Sequence, residues 1–241
     1  MPENILLNLR PAYELVTRYG ASWMTQILDS ANGVGLPYVD LYGPEATSSN
    51  FSSALNTNDP ILVNILGHGN ANLIACQNGE TLLQGGYNTN ILSGRVVYDL
   101  SCQSGRELGA IAFNEGAISF LGYTEDFWMC YSDGNHADGG MLNPLDDEIS
   151  RGFFESHNIA PISYIRGSTI PASYSASQNT FDYWIRVWEE VDPQVAALLV
   201  WNKDYQILYS SEPTPPITPT GIVPLLMFAP LLLVPFLGKK K

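Results

Sequence analysis

Three runs of apolar residues constrain this chain more than any other feature: Ile61 to Leu66, Arg95 to Leu100 and Ala117 to Tyr123. A strand with one wet face alternates apolar and polar side chains. Runs this continuous read as strands buried on both faces of a parallel sheet. The stretch between the second and third runs, Ser104 to Glu115, suits a helix, with Ser104 as cap, Leu108, Ile111 and Ala112 on one face, and Gly116 beyond its end. Strand, helix and strand make a βαβ unit, and the fold class is α/β with helices on both faces of a mostly parallel sheet.

Two of these runs end in chemistry. Gly67-His68-Gly69-Asn70 follows the first, and Ser101-Cys102-Gln103-Ser104-Gly105 follows the second. In open α/β sheets ligands gather outside the carboxyl ends of the strands, so His68 and Cys102 are expected to face each other across one crevice. An imidazole that takes the proton of a thiol makes it a nucleophile. Cys102 is expected to lead directly into a helix, whose free N–H groups and dipole favour the thiolate. Gly69, having no side chain, is expected to bring its N–H beside that of Cys102 as an oxyanion hole. Either residue alone is more often an inert core residue; the paired strand ends and their glycines carry the reading.

The rest of the chain is organised around that pair. Asn4 to Leu9 reads as a strand, and Pro11 starts a helix whose apolar positions recur from Ala12 to Ile27 before Asn32-Gly33. Tyr38 to Tyr42 reads as a strand, and Thr47 to Leu55 as a loop with a short helix. Leu73 to Cys76 and Thr81 to Leu83 flank Asn78-Gly79, a hairpin signal. Asn88 to Leu92 suits a turn of helix. Residues 124 to 180 are rich in Gly, Ser, Asn and Asp, and read as substrate-wall loops with a helix near Leu145 to Phe154. Thr180 to Val191 reads as a helix, and Val195 to Trp201 with Tyr205 to Tyr209 as a closing edge hairpin.

A formal net charge of −13 argues against a nucleic-acid partner, because no basic stripe is present to displace counterions from phosphate. Cys76, Cys102 and Cys130 are too few for a disulfide framework and match no zinc spacing. No metal site and no cofactor are expected. Asp133 to Gly139 hints at a calcium loop but misses the ligand spacing and the terminal Glu. His136 and His157 read as solvent-facing loop residues, and Cys76 and Cys130 as small hydrophobes.

No N-terminal signal segment is evident. Ser210 to Thr220 is proline-rich, and Ile222 to Leu237 is apolar and uncharged before Lys239-Lys240-Lys241. Sixteen residues are short for a spanning helix, which needs about 20. The reading is a folded domain at 1–210, a linker at 211–220 and a hydrophobic anchor at 221–241. It holds the protein at a membrane through residues 222–237, with the folded domain on the cytoplasmic side and the oligomeric state open.

A strand ending in His-Gly, a strand ending in Cys-x-Ser-Gly, a helix, and a strand reading Gly116 to Tyr123 together resemble the caspase-like cysteine peptidases of clan CD, most of all the gingipain-type and CHAT-type members. The resemblance covers Ile61 to Phe127. It implies the caspase-haemoglobinase fold with a central sheet of about six strands, a Cys102–His68 dyad, and endopeptidase action on protein or peptide substrates. The motif differs from the caspases proper, whose Cys lies in Gln-Ala-Cys-x-Gly, so aspartate specificity is not implied. Many other relatives cut after Arg or Lys through an acidic pocket, for which Asp99, Glu125 and Asp126 are the candidates. Each is equally readable as a turn cap or a solvated charge. The alternative reading is a catalytically inactive member of the fold serving as a membrane-held binding or signalling module.

Overall fold

A computed structural model describes residues 3–132 and 140–212. Its centre is a six-stranded sheet in the order β2-β1-β3-β7-β8-β9, made from β1 (Glu3–Arg10), β2 (Tyr38–Tyr42), β3 (Pro60–Leu66), β7 (Val96–Leu100), β8 (Ser119–Tyr123) and β9 (Gln206–Ser210). Five strands run parallel, and β9 pairs antiparallel with β8 at one edge. The α/β reading with a mostly parallel sheet of six strands holds.

Successive residues of the inner strands enter opposite cores, which is why their runs are continuous. Leu6, Leu62, Val96 and Leu121 pack with Tyr19, Trp23, Ile27 and Phe154 from α1 (Leu15–Trp23), α2 (Thr25–Val34) and α5 (Glu148–Ile165). Their neighbours Leu7, Val63, Val97 and Phe120 face the other way, onto Phe51 of α3 (Ser48–Asn58) and Leu108 and Ala112 of α4 (Leu108–Asn114). A polar row crosses the first core: Asn64 donates to Asn8 at 2.7 Å, and Asn8 to Asp40 at 2.9 Å. The three residues are register partners on β3, β1 and β2, so a slip by one residue would bury unpaired amides.

A second, antiparallel sheet of β4 (His68–Asn70), β5 (Leu73–Ala75) and β6 (Thr81–Gln84) covers part of the α3 side. The hairpin at Asn78-Gly79 is present, with both residues at positive φ.

Several boundaries differ from expectation. The first helix breaks at Met24 into α1 and α2. The Ser104–Glu115 helix is only α4, which begins at Leu108. The 124–180 region contains the long helix α5 and the first half of α6 (Ile170–Glu189), which runs on into the stretch expected to be helical from Thr180. Val195 to Trp201 is not a strand: it belongs to α7 (Pro193–Tyr205), where Asp192 accepts hydrogen bonds from the Gln194 and Val195 amides and Pro193 occupies the first turn. His157 is not solvent-facing but fully buried in α5.

The expected membrane-held location is corrected. Among the described residues no helix is long and apolar enough to cross a membrane, and residues 222–237 lie outside the described residues. The calcium hint at 133–139, with His136, also lies outside them. Among those described, no three His, Cys, Asp or Glu side chains are grouped to hold a metal ion.

Candidate active site

Strands β3 and β7 are adjacent and parallel, with Leu66 beside Leu100. Their carboxyl ends therefore release His68 and Cys102 on the same edge of the sheet. Both line one cavity of about 40 Å³, closed by Val16 and Thr17 of α1, Phe127 and Met129 of the segment after β8, and Phe154 of α5. The larger cavity, about 250 Å³, lies at the opposite end of the strands against Asn4, Leu36, Ile61 and Tyr164, and holds neither residue.

Gly69 sits against the Cys102 peptide. A Cβ at this position would overlap the Cys102 carbonyl and come within 3.2 Å of the Cys102 nitrogen. Gly67 likewise meets the Ala75 carbonyl, and its amide donates to Leu100 at 3.2 Å. Both glycines are required by close backbone approach, which brings β4 down onto the cysteine turn.

His68 is half-exposed, and its Nε2 lies 3.2 Å from Glu14 Oε1. The edge of the Tyr13 ring meets the imidazole at 6.1 Å between centroids. Sequence reasoning missed Glu14. The residue caps α1, accepting from the Val16 and Thr17 amides at 3.0 and 2.8 Å, while the Glu14 N–H meets the Thr17 hydroxyl. The spacing Glu14-x-x-Thr17 ahead of an apolar helix was the available signal. Desolvation pushes its carboxyl up, but those hydrogen bonds and the nearby His68 outweigh it and hold the group below the usual carboxylate range.

Cys102 is free and partly buried. Burial pushes its thiol up; the Phe127 amide opposes this, Asp126 and Asp99 add to it, and the net direction is upward. The expected help from a helix N-terminus is absent, because Cys102 lies six residues before α4, in a turn where Gln103 has φ 55°. Ser104 is not a helix cap either; its hydroxyl donates to Asp99.

The three candidate acids separate in space. Asp99 has no exposed surface, and its two oxygens accept from the Ser101 and Ser104 hydroxyls. Desolvation raises it to about 7 against those hydrogen bonds. It braces the cysteine turn from within. Asp126 is exposed, but its carboxylate accepts from the Gln103 side chain at 2.9 Å. Glu125 contributes its carbonyl to the Gln103 amide at 3.1 Å. None of the three lines the cavity.

The segment carrying Phe127 is held from behind by α7. Asn202, fully buried, donates to the Trp128 carbonyl at 2.7 Å and accepts from the Trp128 amide at 2.9 Å. The Trp201 indole donates to the Asp126 carbonyl at 3.0 Å.

No protein-family model matches the chain, and no curated protein matches it. Among solved structures it is similar to gingipain R of Porphyromonas gingivalis in the complex of its pro- and mature domains, at 11% identity and a TM-score of 0.55. A second match is the Arg-specific cysteine proteinase gingipain R alone, at 15% identity and a TM-score of 0.49. Each alignment covers 86% of this chain, which spans about half the length of those structures, 47% and 46%. The chain therefore has the fold of the gingipain, caspase-like cysteine peptidases.

Proposed function

We propose that this chain is a cysteine peptidase acting on protein or peptide substrates, with Cys102 as nucleophile and His68 as general base. The observation that carries the reading is the convergence of these two side chains on one cavity at the carboxyl edge of a gingipain-like sheet. With Nε2 of His68 facing Glu14, Nδ1 is the nitrogen left for the thiol proton. The thiolate attacks the peptide carbonyl carbon, and the oxyanion so formed is held by the amides of Gly69 and Cys102. The C–N bond then breaks, the leaving amine takes the proton from His68, and a thioester remains on Cys102. Water, deprotonated by His68, releases the carboxylic acid and restores the thiol.

The upward direction of the Cys102 thiol favours a second reading, a silent binding module of the same fold. Hydrolysis of a panel of fluorogenic peptides by the full chain, beside Cys102→Ala and His68→Ala, separates the two. Cleavage lost in both variants supports the peptidase. Cleavage that survives Cys102→Ala, or no cleavage of any peptide in the panel, sinks it.

A further inference from the structure

We infer that, within the peptidase reading on which this rests, the side chain preceding the scissile bond is a small aliphatic one rather than Arg or Lys. The cavity that His68 and Cys102 share is walled by Val16, Leu66, Leu100, Phe127, Met129 and Phe154, and among the described residues no carboxylate lines it. Glu125 does not line the cavity, and the other acids nearby are engaged elsewhere. Asp99 is buried beneath the cysteine turn, Asp126 accepts from Gln103, and Glu14 faces His68. A guanidinium or ammonium placed among these apolar walls would lose its water and meet no counter-charge, which is costly. An aliphatic side chain there is stabilised by burial of its apolar surface.

The dimensions narrow the class further. On a scale where a cavity of about 150 Å³ holds a benzene, about 40 Å³ suits a small aliphatic group and not an indole. The mouth is at His68 and Val16, both exposed. A side chain entering there leaves the carbonyl beside Cys102. Val16 is thus the position where one added charge changes preference with least disturbance to the core, whereas Thr17 is buried and its hydroxyl accepts from the Glu14 amide in the capping box of α1.

The test uses the full chain with peptide substrates that differ only in the residue before the cut: Ala, Val, Leu, Trp, Arg and Lys. In parallel, Cys102 labelling is timed with electrophilic peptides ending in Leu or Arg, located by mass spectrometry of the Cys102 peptide. Cleavage and labelling at least tenfold faster after Val or Leu than after Arg or Lys support the inference, as does a shift toward Arg in Val16→Asp. Cys102-dependent cleavage that is faster after Arg or Lys overturns the specificity and leaves the peptidase reading standing. Preferential labelling by the Leu probe without any cleavage supports the pocket and overturns the peptidase. Failure of both probes and all substrates overturns both.

Discussion

At the scale of single residues, two positions connect this sequence to its chemistry through geometry. Glu14 holds one nitrogen of His68, so Glu14→Gln is expected to keep the helix cap through its amide oxygen while losing the charge. A positioned base contributes about 10²-fold or more, and orientation is part of that. Peptide hydrolysis in Glu14→Gln should therefore fall roughly tenfold in kcat with KM little changed; an unaltered kcat in steady-state kinetics would remove Glu14 from the machinery. The low-lying carboxyl of Glu14 has a sign as well. Its folded value is below the unfolded one, so the stability it adds is present above the ordinary carboxylate range and is lost as pH falls through the folded value. Gly69 is the other position. Any Cβ there meets the Cys102 carbonyl, which is backbone and cannot swing aside. Gly69→Ala should cost about 1–3 kcal/mol, as overpacking does, and should reduce labelling of Cys102 more than it reduces the unfolding midpoint implies. The two glycines flanking His68 were legible in the sequence, but their contacts were not: Gly67 meets β5 and Gly69 the cysteine turn, which only the fold brings near.

At the scale of elements, α7 decides the shape of the site wall. Read locally, Val195 to Trp201 has apolar residues and a β-branched start, which suits a strand; the Asp192-Pro193 cap and the packing of Val195 and Leu199 on Phe153 and Phe181 make it a helix. That helix presents Asn202 as a clip for both polar groups of the Trp128 backbone. Asn202→Ala would leave a donor and an acceptor unpaired beside a buried position, at about 1–3 kcal/mol for each group that stays dry. The expected outcome is a lower urea midpoint together with faster hydrogen exchange of the Trp128 amide. Unchanged exchange at Trp128 would show that α7 does not hold this segment. Helix α4 makes the opposite point: its late start at Leu108 follows from Asp99 drawing the Ser101 and Ser104 hydroxyls inward, so residues 101–107 form turns around a buried carboxyl.

At the scale of the whole molecule, two buried ionisable groups set opposing pH trends. Asp99 lies at about 7 in the fold, above the ordinary value for an unfolded chain, so from about 4 to 7 the folded protein keeps a proton that the unfolded chain has released, and stability falls as pH rises. His157, pushed down to about 3 by desolvation, works the other way: as pH falls below about 6.5, the unfolded chain gains a proton that the folded one refuses. Between about pH 4 and 6.5 the two trends offset each other. In Asp99→Asn only the histidine trend remains, so its stability relative to the parent chain should rise by about 1.4 kcal/mol per pH unit across that window. Urea unfolding at pH 4.5, 5.5 and 6.5 measures this, and parallel curves for the two proteins would contradict it. What the sequence by itself determined was the pattern of burial. Runs such as Ile61 to Leu66 are apolar on both alternating faces, which is a local property, so the parallel strands and the residues at their ends could be read without the fold. The tertiary structure alone decided the partners. Glu14 is 54 residues from His68 and Asn202 is 74 from Trp128, and whether Asp99 met water, a substrate or two buried hydroxyls depended on what packed over it. Charge, desolvation and hydrogen bonding act through space, and no spacing along the chain records them.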